Sequence, residues 1–128
     1  MNSESCKVLV VDDDRDNANS IVTLLQLWGH EAEAAYSGED AISKALAVDA
    51  DVVLIDIVMP GMNGFDVAKE LRRLCPRAKF LALTGFTRAD IVRRSRDAGF
   101  AKVLFKPAAA KELKEAVETE CAASANNQ

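Results

Sequence analysis

Four short apolar runs, VLVV at 8–11, VVLI at 52–55, FLAL at 80–83 and VLF at 103–105, constrain this chain more than any other feature. Each is too short for a helix, is rich in branched residues and contains no polar residue. Such runs read as strands covered on both faces, which is the mark of a parallel sheet. The segment 31–36 alternates less hydrophobically and suits an edge strand.

Helical patterns fill the intervals. Between Asp16 and Trp28, the residues Ala18, Ile21, Val22, Leu25 and Trp28 keep helical spacing, and Gly29 stops the pattern. Ser37 and Asp40 resemble a capping box for a helix reaching Ala47. Asn63 can cap a helix carrying Phe65, Ala68, Leu71 and Leu74, with Pro76 beyond its end. Thr87 and Asp90 make a second box, closed by Gly99. A last helix is expected from about Ala109 to Cys121, with Leu113, Ala116 and Val117 inward, and 122–128 reads as a frayed polar tail. Strict alternation of strand and helix implies an α/β fold: a parallel sheet, helices on both faces, right-handed crossovers, and one domain over 1–121.

Composition narrows the function. Apolar residues make up 49%, enough for a compact core. The net charge of -4 argues against nucleic acid or a membrane surface as the main partner. No apolar run approaches the roughly 20 residues of a membrane span, and the first residues lack a signal-peptide pattern, so a cytoplasmic location is expected. Cys6, Cys75 and Cys121 are an odd count without a C-x-x-C pair and read as free thiols. His30 follows a glycine at a helix end and reads as a surface or loop residue.

In a sheet of this kind ligands bind at the carboxyl ends of the strands. There the sequence places Asp12, Asp13 and Asp14, then Asp56, then Thr84 with Gly85, then Lys106 with Pro107. Carboxylates this close repel one another and call for a cation. Hard oxygen ligands suit magnesium. Phosphoryl transfer needs the same set: a metal, a second cation, a hydrogen-bond donor and a nucleophile, which an aspartate can supply. Each residue alone also has a plainer reading. Asp14 or Asp16 can cap the first helix, Asp56 can be a turn residue, Thr84 can cap a helix and Lys106 can be a surface lysine. Their joint placement at the strand ends is what points to a phosphoryl site.

Over about 7–117, "VLVVDDD", "DVVLIDIVMPGMNG", "ALTG" and "LFKP" resemble the receiver domain of two-component response regulators, in that family's order and spacing. The resemblance is to the single-domain, chemotaxis type. It implies a flavodoxin-like fold of five strand–helix units with strand order 2-1-3-4-5. It also implies Mg2+ held by Asp12, Asp13, Asp56 and the backbone carbonyl of Val58, with Asp56 as phosphoacceptor. Thr84 matches the switch hydroxyl, Gly85 leaves room for the phosphate, Lys106 pairs with the phosphoryl group, and Pro107 follows it through a cis bond. Pro60, Gly61 and Gly64 shape the adjoining loop. The chain departs from the pattern at Val103, where the family often has an aromatic coupled to the switch hydroxyl; Phe100 and Phe105 are out of register. Val58 and Phe86, two residues beyond Asp56 and Thr84, are apolar where relatives often carry side chains that orient water, which implies slow self-dephosphorylation.

The implied partners are a histidine kinase or histidine phosphotransfer protein docking near the first helix and the Pro107 loop, with Ala18, Ile21 and Pro107 as candidate contacts if they are exposed there. Arg88, Arg93, Arg94 and Arg96 form a basic face on the fourth helix. That face is either simply solvated or meets an acidic partner, or a second copy through Glu112, Glu115 and Glu118. No DNA-binding module is expected to follow, and the module reads either as free-standing or as a receiver cut from a hybrid kinase. Asp12-x-Asp14 also resembles the opening of haloacid-dehalogenase-type phosphatases, with Asp12 as nucleophile and Asp14 as general acid. That alternative leaves Asp56 idle. A receiver-like module that only binds partners is a further alternative, and it would be favoured by loss of an acid, the threonine or the lysine.

Overall fold

A computed structural model describes residues 5–126 apart from 60, 62 and 86–88. The elements alternate as β1 (Lys7–Val11), α1 (Arg15–Leu27), β2 (Glu31–Ala35), α2 (Gly38–Val48), β3 (Val52–Asp56), α3 (Gly64–Leu74), β4 (Lys79–Thr84), α4 (Ala89–Asp97), β5 (Lys102–Phe105) and α5 (Ala110–Asn126). The strands form one parallel sheet in the order β2-β1-β3-β4-β5, a flavodoxin-like arrangement.

Alternation along the strands divides the core into two layers. Val8, Val10, Leu54, Leu81 and Leu104 face α1 and α5, where they meet Ile21, Leu25, Leu113 and Val117. Leu9, Val11, Val53, Ile55 and Ala82 face the other way, onto Ala41, Ala45, Val67 and Leu71 of α2 and α3. This double burial is why the runs at 8–11, 52–55 and 80–83 contain no polar position.

The helix starts are set by short polar side chains. Asp14, Ser37 and Asn63 are the caps of α1, α2 and α3, and each accepts a backbone N–H three residues on. Gly29 and Gly99 take positive φ at the ends of α1 and α4, as the sequence implied. The expected cap at Thr87 lies outside the described residues. Helix α5 runs on through Asn126, so the start of the segment read as a tail is helical. Its alanines at 122 and 123 are strong helix formers, and buried Cys121 anchors that turn to the core.

Two local expectations are overturned. Cys6 and Cys121 are joined in a disulfide, with only Cys75 free. The sheet brings the start of β1 beside the late turns of α5, a proximity that spacing cannot show. His30 is 6% exposed rather than a surface residue. Its Nδ1 accepts the Cys6 N–H, and its Nε2 faces Glu118. Among the described residues no helix is long and apolar enough to cross a membrane.

Candidate functional site

Parallel pairing levels the strand tips. Val11 is opposite Ile55, Asp56 opposite Leu83, and Thr84 opposite Phe105. The ladder continues one step further, with Asp12 N–H on Ala35 O, Ile57 N–H on Leu83 O and Lys106 N–H on Thr84 O. Asp12, Asp56, Thr84 and Lys106 therefore share one edge of the sheet, fixed by main-chain hydrogen bonds rather than by loops.

Asp56 is 4% exposed and Asp12 is fully buried. The Lys106 ammonium lies 3.0 Å from a carboxylate oxygen of each. The other Asp56 oxygen accepts the Val58 N–H at 3.1 Å. Asp12 accepts the Asp14 N–H on one oxygen and the Asn17 side-chain amide, at 2.7 Å, on the oxygen that also meets Lys106. Asn17 is a member of the site that sequence reasoning missed. Its only signal was helical phase: it sits one turn into α1 and points back at the strand end.

Burial raises the Asp56 carboxyl from its ordinary 3.8 to about 6; Lys106 opposes the rise and the charge of Asp12 adds to it. Burial also acts to lower the Lys106 ammonium, but its hydrogen bonds and charge interactions with Asp56 and Asp12 outweigh that and raise it.

Two near-buried carboxylates thus share one ammonium. Exposed Asp13 can bring a third carboxylate oxygen within 4.8 Å of theirs. A hard-oxygen set with negative charge in excess fits a divalent cation such as Mg2+. Gly85 is exposed, and a Cβ placed on it would meet nothing within 4 Å among the described residues. Thr84 is buried. The Lys106–Pro107 bond is cis, as the family resemblance implied.

Gly64 shows how tightly the acceptor strand is held. A Cβ there would lie 2.6 Å from the Asp56 carbonyl oxygen and from the Ile57 Cα, and the Gly64 N–H donates to Ile57 O at 2.7 Å. Only a glycine lets the start of α3 press on the backbone of the strand tip.

The family model for the response regulator receiver domain matches residues 8–118. This chain belongs to that family. The transcriptional regulatory protein ZraR of Salmonella typhimurium is 34% identical over 111 residues, covering 87% of this chain and 25% of ZraR. The chemotaxis protein CheY4 of Vibrio cholerae superposes with a TM-score of 0.84 at 30% identity, covering 91% of this chain and 98% of that one. A CheY-like receiver domain protein of Methanospirillum hungatei superposes with a TM-score of 0.90 at 24% identity, over 98% of this chain and all of that one, which speaks for the fold alone. This receiver spans about a quarter of the length of ZraR.

The remaining expectations divide. Pro107 is exposed and meets the condition for a docking contact, whereas Ala18 and Ile21 are buried in the α1 core contact and do not. Both appeared in the sequence as apolar periodicity, which burial explains. Val103 is half-buried against the layer that includes Ile91 and Ala98, Phe100 is buried, and Phe105 is exposed opposite Thr84. Val58 is 45% exposed beside Asp56. Pro60, Phe86 and Arg88 lie outside the described residues. Arg93, Arg94 and Arg96 are exposed on α4, with Arg94 over the Phe65 ring. Glu112 and Glu115 are exposed, but Glu118 already pairs with Lys114 and faces His30.

Proposed function

We propose that this receiver acts through Asp56, which takes a phosphoryl group from a phosphohistidine of a kinase or phosphotransfer protein. The N–P bond to histidine breaks, an O–P bond to Asp56 forms, and the imidazole leaves as the neutral ring after taking up a proton. The observation that carries this reading is the Lys106 ammonium bridging Asp56 and Asp12 at 3.0 Å each. It neutralises the acceptor now and can move to a phosphoryl oxygen once Asp56 carries the acyl phosphate.

Each residue has its own part. Asp12, Asp13, Asp56 and the Val58 carbonyl would hold Mg2+, which would neutralise charge on the phosphoryl oxygens. Asn17 and the Asp14 N–H orient Asp12. Thr84 offers a hydroxyl and Gly85 leaves space. The chain is a phosphoacceptor that assists its own phosphorylation and slow dephosphorylation, not an enzyme acting on a separate substrate. A cytoplasmic location and a homodimer formed on phosphorylation through α4 and α5 accompany this reading. Nucleic acid and membrane play no part in it, and 1–121 forms one receiver unit.

Asp12 is the more enclosed of the two carboxylates, fully buried and held by the Asp14 N–H, the Asn17 amide and Lys106, whereas Asp56 is held by Lys106 and the Val58 N–H; this favours Asp56 as the nucleophile. The discriminating experiment is intact-mass analysis after incubation with Mg2+ and acetyl phosphate. One phosphoryl group should add to wild type and none to Asp56→Asn. Label kept by Asp56→Asn but lost by Asp12→Asn would transfer the role to Asp12 and overturn the proposal.

A further inference from the structure

At the opposite end of the sheet from the carboxylates lies a second cluster of reactive side chains. Cys6 precedes β1, His30 precedes β2, and Cys121 sits on the late turns of α5. Their ligating atoms all lie within 4.8 Å of one another, and all three residues are buried. The Cys6 and Cys121 Cα atoms are 5.9 Å apart, inside the span a disulfide bridges without backbone movement. Glu118, one turn before Cys121, faces the Nε2 of His30 at 3.4 Å.

We propose that Cys6 and Cys121 are a reversible redox modification site, opened and closed by thiol–disulfide exchange with small dithiols and disulfides. Three observations favour exchange over a fixed staple. A core with two layers does not depend on a cross-link, as small disulfide frameworks do. The third cysteine is unpaired, so there is no framework. The pair also has a polar support that does not need the S–S bond: His30 holds the Cys6 N–H, and Glu118 faces the same ring. The pocket is thus built to persist when the sulfurs part. In a cytoplasmic setting a disulfide is characteristically transient.

A metal at the same residues is disfavoured by the ring. Nδ1 already accepts the Cys6 N–H at 3.1 Å, which assigns the ring proton to Nε2, on the side of Glu118. Neither nitrogen then offers a lone pair to a cation. Cys75 is a poor competitor, since burial and then the charge of Asp49 push its thiol up.

The step balances with a small disulfide such as oxidised glutathione as oxidant. The thiolate of one cysteine attacks a sulfur of the reagent and expels one small thiolate, leaving a mixed disulfide. The second cysteine thiolate then attacks the protein sulfur of that bond, expels the second small thiolate and forms Cys6 Sγ–Cys121 Sγ. Two electrons pass to the reagent, and the two cysteine protons pass through solvent to the leaving thiolates. Closure ties α5 to β1 across 115 positions of sequence and restricts the unfolded chain.

The test reads thiols and melting, not phosphorylation, so it stands apart from the function proposed for Asp56. The folded chain is equilibrated at graded ratios of reduced to oxidised glutathione, acid-quenched, denatured, alkylated with N-ethylmaleimide and weighed. One adduct, on Cys75, is expected at the oxidising end and three at the reducing end, with the same curve approached from either side. Cys75→Ser should keep the transition, whereas Cys6→Ser and Cys121→Ser should abolish it. The oxidised form should melt several degrees above the reduced form, a gap absent in Cys121→Ser. Three adducts at every ratio would overturn the proposal, as would one adduct at every ratio including excess dithiothreitol. Stoichiometric zinc in the reduced chain that is lost in Cys6→Ser would also overturn it, in favour of a metal site.

Discussion

Replacing Asp56 by asparagine should stabilise this protein when no divalent cation is present. Burial lifts the Asp56 carboxyl from 3.8 to about 6 even with Lys106 beside it, so the folded state binds its proton more tightly than the unfolded state does. The sign follows from linkage. Below about pH 3.8 both states are protonated and Asp56 costs nothing; between there and about pH 6 the unfolded chain ionises first; above that the full penalty applies. Stability from this group therefore falls as pH rises through that window. At about 1.36 kcal/mol per unit the penalty reaches roughly 3 kcal/mol. Lys106 loses a partner in Asp56→Asn but keeps Asp12, so a net gain of roughly 1–3 kcal/mol is expected. For a chain of this size that is about 4–12 °C in melting temperature. Thermal unfolding in chelator, with wild type and Asp56→Asn side by side, should show the variant melting higher at about pH 7.5 and the two converging near pH 3.5. Added Mg2+ should narrow the gap by stabilising wild type. A variant that is no more stable at pH 7.5, or a gap that is equal at both pH values, would refute the reasoning.

Two further outcomes follow from the same geometry, and a third from the family resemblance. Gly64→Ala must push a methyl group into the backbone of Asp56 and Ile57; it should cost about 1–3 kcal/mol in urea titrations and slow phosphorylation by acetyl phosphate, and unchanged values would show that the loop yields freely. Lys106→Met leaves two near-buried carboxylates without their cation, so its loss of stability should be larger at neutral pH than near pH 4; a loss independent of pH would contradict the bridging role. A double variant, Val58→Asn with Phe86→Glu, should lose its phosphoryl group several-fold faster than wild type, because relatives often carry water-orienting side chains at those two sequence positions. Equal decay by mass spectrometry would remove Val58 and Phe86 from any control of lifetime.

The sheet was legible because its three central strands are buried twice over. Runs such as VVLI leave no alternative period, and the caps Asp14, Ser37 and Asn63 mark helix starts by local chemistry. The strand-tip residues were legible for a related reason: in a parallel sheet each run delivers its next residue to the same edge, so Asp12, Asp56, Thr84 and Lys106 could be brought together before any distance was known. Contacts set by helix phase or by distant chain proximity were not legible. Asn17 reaches Asp12 because of the direction in which α1 starts. The Cys6–Cys121 bond and the burial of His30 depend on how the last turns of α5 lie over the start of β1, a relation between segments 115 residues apart. Periodicity placed Ala18 and Ile21 on the apolar stripe of α1, and their burial on its inner face removes them from the conditional docking contacts.

The central claim is that Asp56 itself accepts the phosphoryl group. After incubation with Mg2+ and acetyl phosphate, borohydride reduction converts an aspartyl phosphate to homoserine, and peptide sequencing by mass spectrometry locates the altered residue. Homoserine at position 56 alone, absent without the phosphodonor, is the predicted result. Homoserine at 12 or 13, with 56 unchanged in a phosphorylated sample, would contradict the account.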